Sequence, residues 1–452
     1  MSSRFFLFMR TRSHLNEIQK WAVFKVLSSD FYFHPLYVEA FSLLHSMGRE
    51  SIREYQLYRL QRLLLRARRD VPYWREVIGT RLLRGDSLDI GEFAHLPILT
   101  RETLRNRHRE FIIKNLDRYK HRTFVTSGST DVPKKFVADK PFCQKIMAVE
   151  ACYVRRFGVK DYRQFGFFLN KPHLADLTTQ IDPFTSNAEE LNKIFMEKDI
   201  RAVGGAVYRL LRLAEMVESG KVRVNLTFVL AGSEYLSPER KRYFEKVFRC
   251  PVYNKYVCAE AGMIGVECTE SGGFHIDPVN TYVEIVDENG VPITDGRSGR
   301  IVITVFNNRL MPLIRYELGD TGKWVDETKS CGCGLKTPRL HFDGRTLDYL
   351  KFADGRTYPA LKFIRGIDQK FSRFMLKRQL IQESYEKISL KFVPAPPCRP
   401  RTKERIRDFI LRDRLRDFPN VTVEVEAVEH LDNVESGKHV TFVSRLPKDI
   451  PS

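Results

Sequence analysis

The chain has 452 residues, 43% of them hydrophobic, with 75 Lys and Arg against 56 Asp and Glu, for a formal net charge of +19 at neutral pH. That length buries a large apolar core and exceeds one ordinary compact domain, so two domains are expected. Eight cysteines are too sparse for a disulfide scaffold. No apolar run approaches membrane-spanning length, and the basic, aromatic opening from Arg4 to Arg12 lacks the uninterrupted apolar core of a signal peptide, so a cytoplasmic protein is expected.

The charge fits attraction to nucleic acid, anionic lipid headgroups or an acidic polymer. It fits equally a solvated surface, because Lys and Arg alternate with Asp and Glu in 236-LSPERKRYFEKVFR and 401-RTKERIRDFILRDRLRDF. No nucleic acid partner and no transmembrane segment are expected, while peripheral membrane contact stays open.

In chain order, 54-EYQLYRLQRLLLRARR carries apolar residues at helical spacing, and Pro72 stops it. Thr100 is placed to cap a short helix opening with Arg101 and Glu102. The β-rich run 121–127 empties into a Gly/Ser/Thr loop, and a helix follows from Pro141. From 165 to 257, strands at 165-FGFFL, 224-VNLTFVLAG and 252-VYNKYV alternate with helices at 206-AVYRLLRLAEMV and 238-PERKRYFEKVF, the pattern of a largely parallel sheet. Next, 281-TYVEIVD, the turn 287-DENG, 299-GRIVITVF and 312-PLIRYE predict an antiparallel β subdomain. The last hundred residues read as a separate unit with strands at 387-KISLKFV and 420-NVTVEVEAV and a basic helix at 403-KERIRDFILRDRL. The predicted architecture is α/β: a helical N-terminal region over 1–120, a core over 121–344 and a small α+β C-terminal domain over 345–452.

The segment 126-TSGSTDVPKK offers hydroxyl and backbone N–H donors in a strand-to-helix loop, with lysine charge beside them, which suits phosphate oxygens. The P-loop spacing is absent, and by itself such a loop also fits a simple turn.

From this loop onward the sequence resembles the acyl-adenylate-forming (AMP-binding) superfamily, whose motifs recur in the family's order over about residues 50–445. The resemblance implies that Thr126, Ser127, Gly128, Ser129, Thr130 and Lys134 hold the phosphates of ATP, and that Gly232, Ser233 and Glu234 lie beside the adenine. It implies that Tyr256 lies against the base, Glu260 holds Mg²⁺, Asp320 accepts the ribose hydroxyls and Arg345 lies near ribose and phosphate. Asp348 would be the pivot of a mobile C-terminal domain whose Lys438 reaches the site during adenylation. Asp131 stands where the family has its second loop glycine, and Val257 and Ala259 where it has glycine and threonine. The branch most resembled is the phenylacetate–CoA ligase-like group with its CapK-like members of capsular-polysaccharide biosynthesis.

Elementary electrostatics asks for the same parts. A carboxylate attacking an α-phosphate brings two anions together, so the site needs a divalent cation, a fixed positive charge and oriented donors. Glu260, Lys438 and the 127–130 loop are the residue types that supply them. A second constellation, Cys268, His275, Cys331 and Cys333, is a Cys3His set of the kind that holds structural Zn²⁺; unliganded core cysteines are the alternative. Zinc-containing relatives carry a similar arrangement. The expected partners are a small carboxylic acid with ATP, Mg²⁺ and CoA, with an amine or hydroxyl of a polysaccharide precursor as the alternative acceptor. A non-catalytic basic binding protein on a degenerate scaffold is the alternative of another class.

Overall fold

The computed structural model describes residues 17–29, 35–79, 82–84, 87–126, 134–168, 179–270, 272–325, 331–345, 349–395, 398–431 and 441–446. The chain forms two compact units from interleaved stretches, one from 1–126, 134–162 and 253–342 and the other from 127–133, 163–252 and 343–452.

The described residues of the first unit begin with helices Glu17–Ser28, Pro35–Ser46 and Arg49–Asp70. The third buries Ile52, Tyr55, Leu60, Leu63, Leu64 and Ala67, the three- and four-residue spacing of one helix face. It ends where expected: Val71, preceding Pro72, is extended at φ −112°, and its N–H closes the last turn on the Ala67 carbonyl at 3.0 Å. Thr100 caps Arg101–Asn106, accepting from the Thr103 N–H at 3.1 Å. Asp139 caps Lys140–Arg156, accepting from the Phe142 N–H at 3.0 Å.

The sheet of this unit runs in the order Thr281–Val286, Gly299–Val305, Tyr316–Trp324, Arg339–Arg345, Phe274–Ile276, Gly262–Glu267 and Val252–Cys258. Its first two strands lie where the sequence puts them. The third starts at Tyr316 and not at Pro312, because Arg315 has φ 48°, a left-handed conformation in which a strand cannot run. Helix and sheet side chains close one core around Trp74, Phe93, Phe111, Tyr316 and Leu340, where the Trp74 indole N–H donates to the Pro312 carbonyl at 3.1 Å.

In the second unit, strands Phe228–Gly232, Ala202–Ala206, Phe165–Phe167 and Thr179–Gln180 are parallel, with helices Ala188–Glu197 and Val207–Glu218 between them in sequence and Pro238–Phe248 after the last. This is the alternation read from residues 165–257. Gly204 and Gly205 admit the aromatic neighbours of the sheet: a Cβ on Gly204 would lie 2.4 Å from Phe165 Cζ, and one on Gly205 2.6 Å from Phe168 Cβ. The C-terminal part of the unit is a four-stranded sheet in the order Thr422–Ala427, Lys387–Pro394, Met375–Ser384 and Phe442–Ser444, packed with helices Ala360–Phe371 and Thr402–Phe409. The basic helix expected from 403 is α-helical to Phe409 and continues as a π turn, Ile410–Arg414. Among the described residues, no helix is long and apolar enough to cross a membrane.

Candidate active site and metal centre

In the first unit, strand Val252–Cys258 turns through 259–261 into Gly262–Glu267. Gly262 makes the turn possible: it has φ 72°, and a Cβ there would lie 2.7 Å from Ile146 Cβ. Tyr256 lies near the end of the first strand and Glu260, 6% exposed, in the turn. The Tyr256 hydroxyl donates to Asp320 Oδ2 at 2.6 Å, while its ring sits 5.6 Å from Phe342 and 6.0 Å from Phe274. Tyr256 and Asp320, named from two motifs, thus meet within one sheet, with Glu260 in the turn that follows the Tyr256 strand.

Asp320 is itself buried, in the strand Tyr316–Trp324. The preceding Gly319 has φ 75° with the Arg101 guanidinium packed where a side chain would stand, and Arg101 donates to the Leu318 carbonyl. Burial, and next the Glu260 carboxylate, hold the Cys258 thiol well above its ordinary pKa; Asp320 adds to this. Cys258 therefore stays protonated and is no nucleophile. Burial and Glu260 do the same to the Tyr316 phenol. Asp320, beside the Tyr256 phenol, can accept hydroxyl donors, and the Glu260 carboxylate in the adjoining turn is of the type that ligates a hard cation through oxygen.

Thr126 and Lys134 face each other as the last paired residues of the hairpin His121–Thr126/Lys134–Asp139. The loop residues Ser127, Gly128, Ser129 and Thr130, with Asp131, lie outside the described residues, as do Asp348 and Lys438. In the second unit, Gly232 ends its strand and Ser233 has φ 67°. Glu234 accepts from the Tyr208 N–H at 3.0 Å, placing its carboxylate at the N-terminus of helix Val207–Glu218. Lys377 stands over the Tyr208 ring at 5.6 Å; burial lowers its ammonium pKa and Glu234 opposes that shift. Arg345 ends the strand Arg339–Arg345.

No family model matches the chain. It is 25% identical to the phenylacetate–coenzyme A ligase of Thermus thermophilus over 342 residues, 70% of this chain and 75% of that one. It is 21% identical to protein CapK of Staphylococcus aureus over 297 residues, 61% of this chain and 63% of CapK. A solved 2-hydroxyisobutyryl-CoA ligase in the postadenylation state superposes with a TM-score of 0.71 at 18% identity, covering 89% of this chain and 91% of that one, a likeness of fold. The chain has the fold of the adenylate-forming ligases. Both relatives come from the branch that its motif order resembles.

The chain carries its cysteine–histidine set in the first unit. The ligand atoms of Cys268, His275, Cys331 and Cys333 all lie within 4.8 Å of one another. Cys268 Sγ is 3.0 Å from Cys331 Sγ, far outside a covalent S–S bond, and all eight cysteines are free thiols. Cys333 Sγ is 3.2 Å from His275 Nε2. His275 Nδ1 lies 3.0 Å from the Thr337 carbonyl, which fixes its proton there and leaves the Nε2 lone pair toward the thiols. Burial pushes the imidazole down to about 4, so the ring is neutral at physiological pH. Arg156 donates to the Cys333 carbonyl at 2.8 Å and steadies the second loop. Three sulfurs and one imidazole nitrogen converging on one point fit a tetrahedral Zn²⁺ with no open position.

Proposed function

We propose that this ligase uses ATP to adenylate a carboxylic acid and then passes the acyl group to a thiol, that of CoA. The observation that carries the reading is the 2.6 Å hydrogen bond from Tyr256 to Asp320, with Glu260 in the adjoining turn. In this reading Asp320 accepts the two ribose hydroxyls, Tyr256 orients it and offers its ring to the base, and Glu260 holds Mg²⁺. When bound, Mg²⁺ neutralises the phosphate oxygens at which negative charge collects. Ser127, Ser129, Thr130 and Lys134 bind the β- and γ-phosphates, Gly232, Ser233 and Glu234 flank the adenine, and Arg345 reaches the ribose and phosphate.

The substrate carboxylate attacks the α-phosphorus, the bond from that phosphorus to the β-phosphate oxygen breaks, and pyrophosphate leaves with its charge met by Lys438. Residues 345–452 then turn about Asp348, withdrawing Lys438, and the thiolate attacks the acyl carbonyl to release AMP. The first reading takes CoA as acceptor because the Thermus relative and the superposed structure are both CoA ligases by name. The second takes an amine or hydroxyl of a polysaccharide precursor, favoured by the likeness to CapK. The Cys3His set holds a structural Zn²⁺. With ATP and CoA as its co-substrates, the proposed reaction is a cytoplasmic one.

The test is pyrophosphate release from ATP across aryl, fatty and amino acids, with and without CoA. Release with an acid, accelerated by CoA, is expected. Release that CoA leaves unchanged and a sugar amine or alcohol accelerates selects the second reading. ATP binding without release on any acid supports a non-catalytic binding scaffold.

A further inference from the structure

The helix Glu17–Ser28 turns two large apolar side chains outward: Ile18 is 76% exposed and Trp21 53%. They are three positions apart and share a face, and Ala22, Lys25 and Val26 continue the same shallow apolar groove. The Lys25 ammonium lies 4.1 Å above the Trp21 ring. An indole with an ammonium beside it on an exposed helix face is the arrangement that partitions to a membrane–water boundary.

Positive charge adjoins this face. The Trp21 ring lies 6.2 Å from that of Tyr58, whose hydroxyl accepts from Arg62 at 2.6 Å. Along helix Arg49–Asp70 the outward stripe then continues through exposed Arg62, Leu65, Arg66 and Arg69. The nearby acids already hold cations: Glu17 and Glu54 bind Lys20 at 3.0 and 3.4 Å, Asp70 binds Arg69 at 2.7 Å, and Asp139 binds Arg309 at 2.5 Å. Partial desolvation, then the neighbouring Arg62 and Arg309, lowers the pKa of Arg66, with Asp70 opposing. In the sequence just before the helix stand Phe5, Phe6, Leu7, Phe8 and Met9, bracketed by Arg4, Arg10 and Arg12.

We propose that this face docks the protein on a membrane surface rich in anionic lipid, with Ile18 and Trp21 entering the headgroup–acyl boundary and Arg62 and Arg66 meeting the phosphates. Both components are needed. A surface reading only polyanions has no use for an exposed Ile–Trp pair, and a protein-docking groove has no need of an arginine stripe.

Full-length protein is sedimented with phosphatidylcholine vesicles and with vesicles containing phosphatidylglycerol, while tryptophan emission is recorded. Binding to the anionic vesicles alone is expected, with a blue shift that disappears in Trp21→Ser. Ile18→Ser/Trp21→Ser and Arg62→Ser/Arg66→Ser should each bind roughly tenfold more weakly. Because the first pair is exposed, unchanged circular dichroism checks its fold. Any of four results overturns the proposal: no vesicle binding, equal binding of the Ile18→Ser/Trp21→Ser variant, binding to RNA or heparin that this variant retains while vesicles are ignored, or a dimer that Trp21→Ser dissociates.

Discussion

Tyr256→Phe removes one oxygen and leaves the ring packed near Phe274 and Phe342. The lost hydroxyl donates to a buried carboxylate at 2.6 Å, a charge-assisted bond whose removal costs about 1.5–3 kcal/mol. That bond exists before nucleotide binds, so part of its loss appears as lower stability. Only the part spent on re-ordering the Asp320 carboxylate appears in nucleotide affinity. If that part is about 1–1.5 kcal/mol, the dissociation constant for MgATP rises about five- to twelvefold. Calorimetric titration with MgATP measures this without knowledge of the acid, and thermal melting separates the stability share. Asp320→Asn should weaken binding at least as much, and the double variant should lose less than the sum of the two. Unchanged MgATP affinity in Tyr256→Phe, or additive losses in the double variant, would show that the hydrogen bond does not position the nucleotide.

Lys438→Ala should abolish acid-dependent pyrophosphate release while MgATP binding changes little; undiminished release would remove that lysine from the adenylation step. Metal analysis of freshly purified protein should give one zinc per chain, and Cys331→Ser should lose most of it and melt at least about 5 °C lower; a full complement of zinc in the variant contradicts the assignment. Arg315, 1% exposed, donates to the carbonyls of Leu96 and Gly290 at 2.6 and 2.8 Å and pairs with Glu284 at 3.2 Å, so Arg315→Met should cost about 3–5 kcal/mol at pH 7.5 in urea unfolding. The Glu284 carboxyl is raised by burial, with Arg315 opposing, so the variant raises it further. A carboxyl raised in the folded state weakens stability as pH climbs from its unfolded value toward the folded one. The Arg315→Met deficit should therefore shrink as pH falls toward about 4.5; a deficit independent of pH would show that Glu284 is not left charged and unpaired.

Much of the architecture was legible because local chemistry and tertiary structure agree. Thr100 caps its helix with its side chain, the residue before Pro72 is extended, and the strands near 165, 228 and 252 alternate with amphipathic helices. The adenine-side motif read as Tyr256 to Glu260 proves to be a strand running into a glycine turn, a geometry that residue types alone do not announce. Arginines misled most. Within 236–249 the charges read as a solvated face, yet the Arg240 guanidinium donates to the carbonyls of Met375 and Leu376 at 3.0 Å each, and burial pushes its pKa down to about 10. The strand Met375–Ser384 escaped notice because Lys377 and Arg378 interrupt its apolar alternation, although Arg378 is buried against Asp368. Arg101 and Arg315 give no signal of their own, since their partners are backbone carbonyls and a glutamate far away in the chain. The four metal-site residues span more than sixty positions of sequence, and only the hairpin of the sheet shows that they converge.

The threading of the chain through two units has a consequence for its birth on the ribosome. The first unit draws on residues up to 342 and the second on residues from 127 to the C-terminus, so neither has all its parts until most of the protein has been made. The helix Arg49–Asp70 emerges long before the strands of 253–342 that share its apolar core. At about 5–20 residues per second, its apolar face waits on the order of ten seconds or more for its partner, an interval in which chaperones can act. Fragments ending before residue 342 should therefore be recovered as aggregates, and fusions or tags are best placed at the termini.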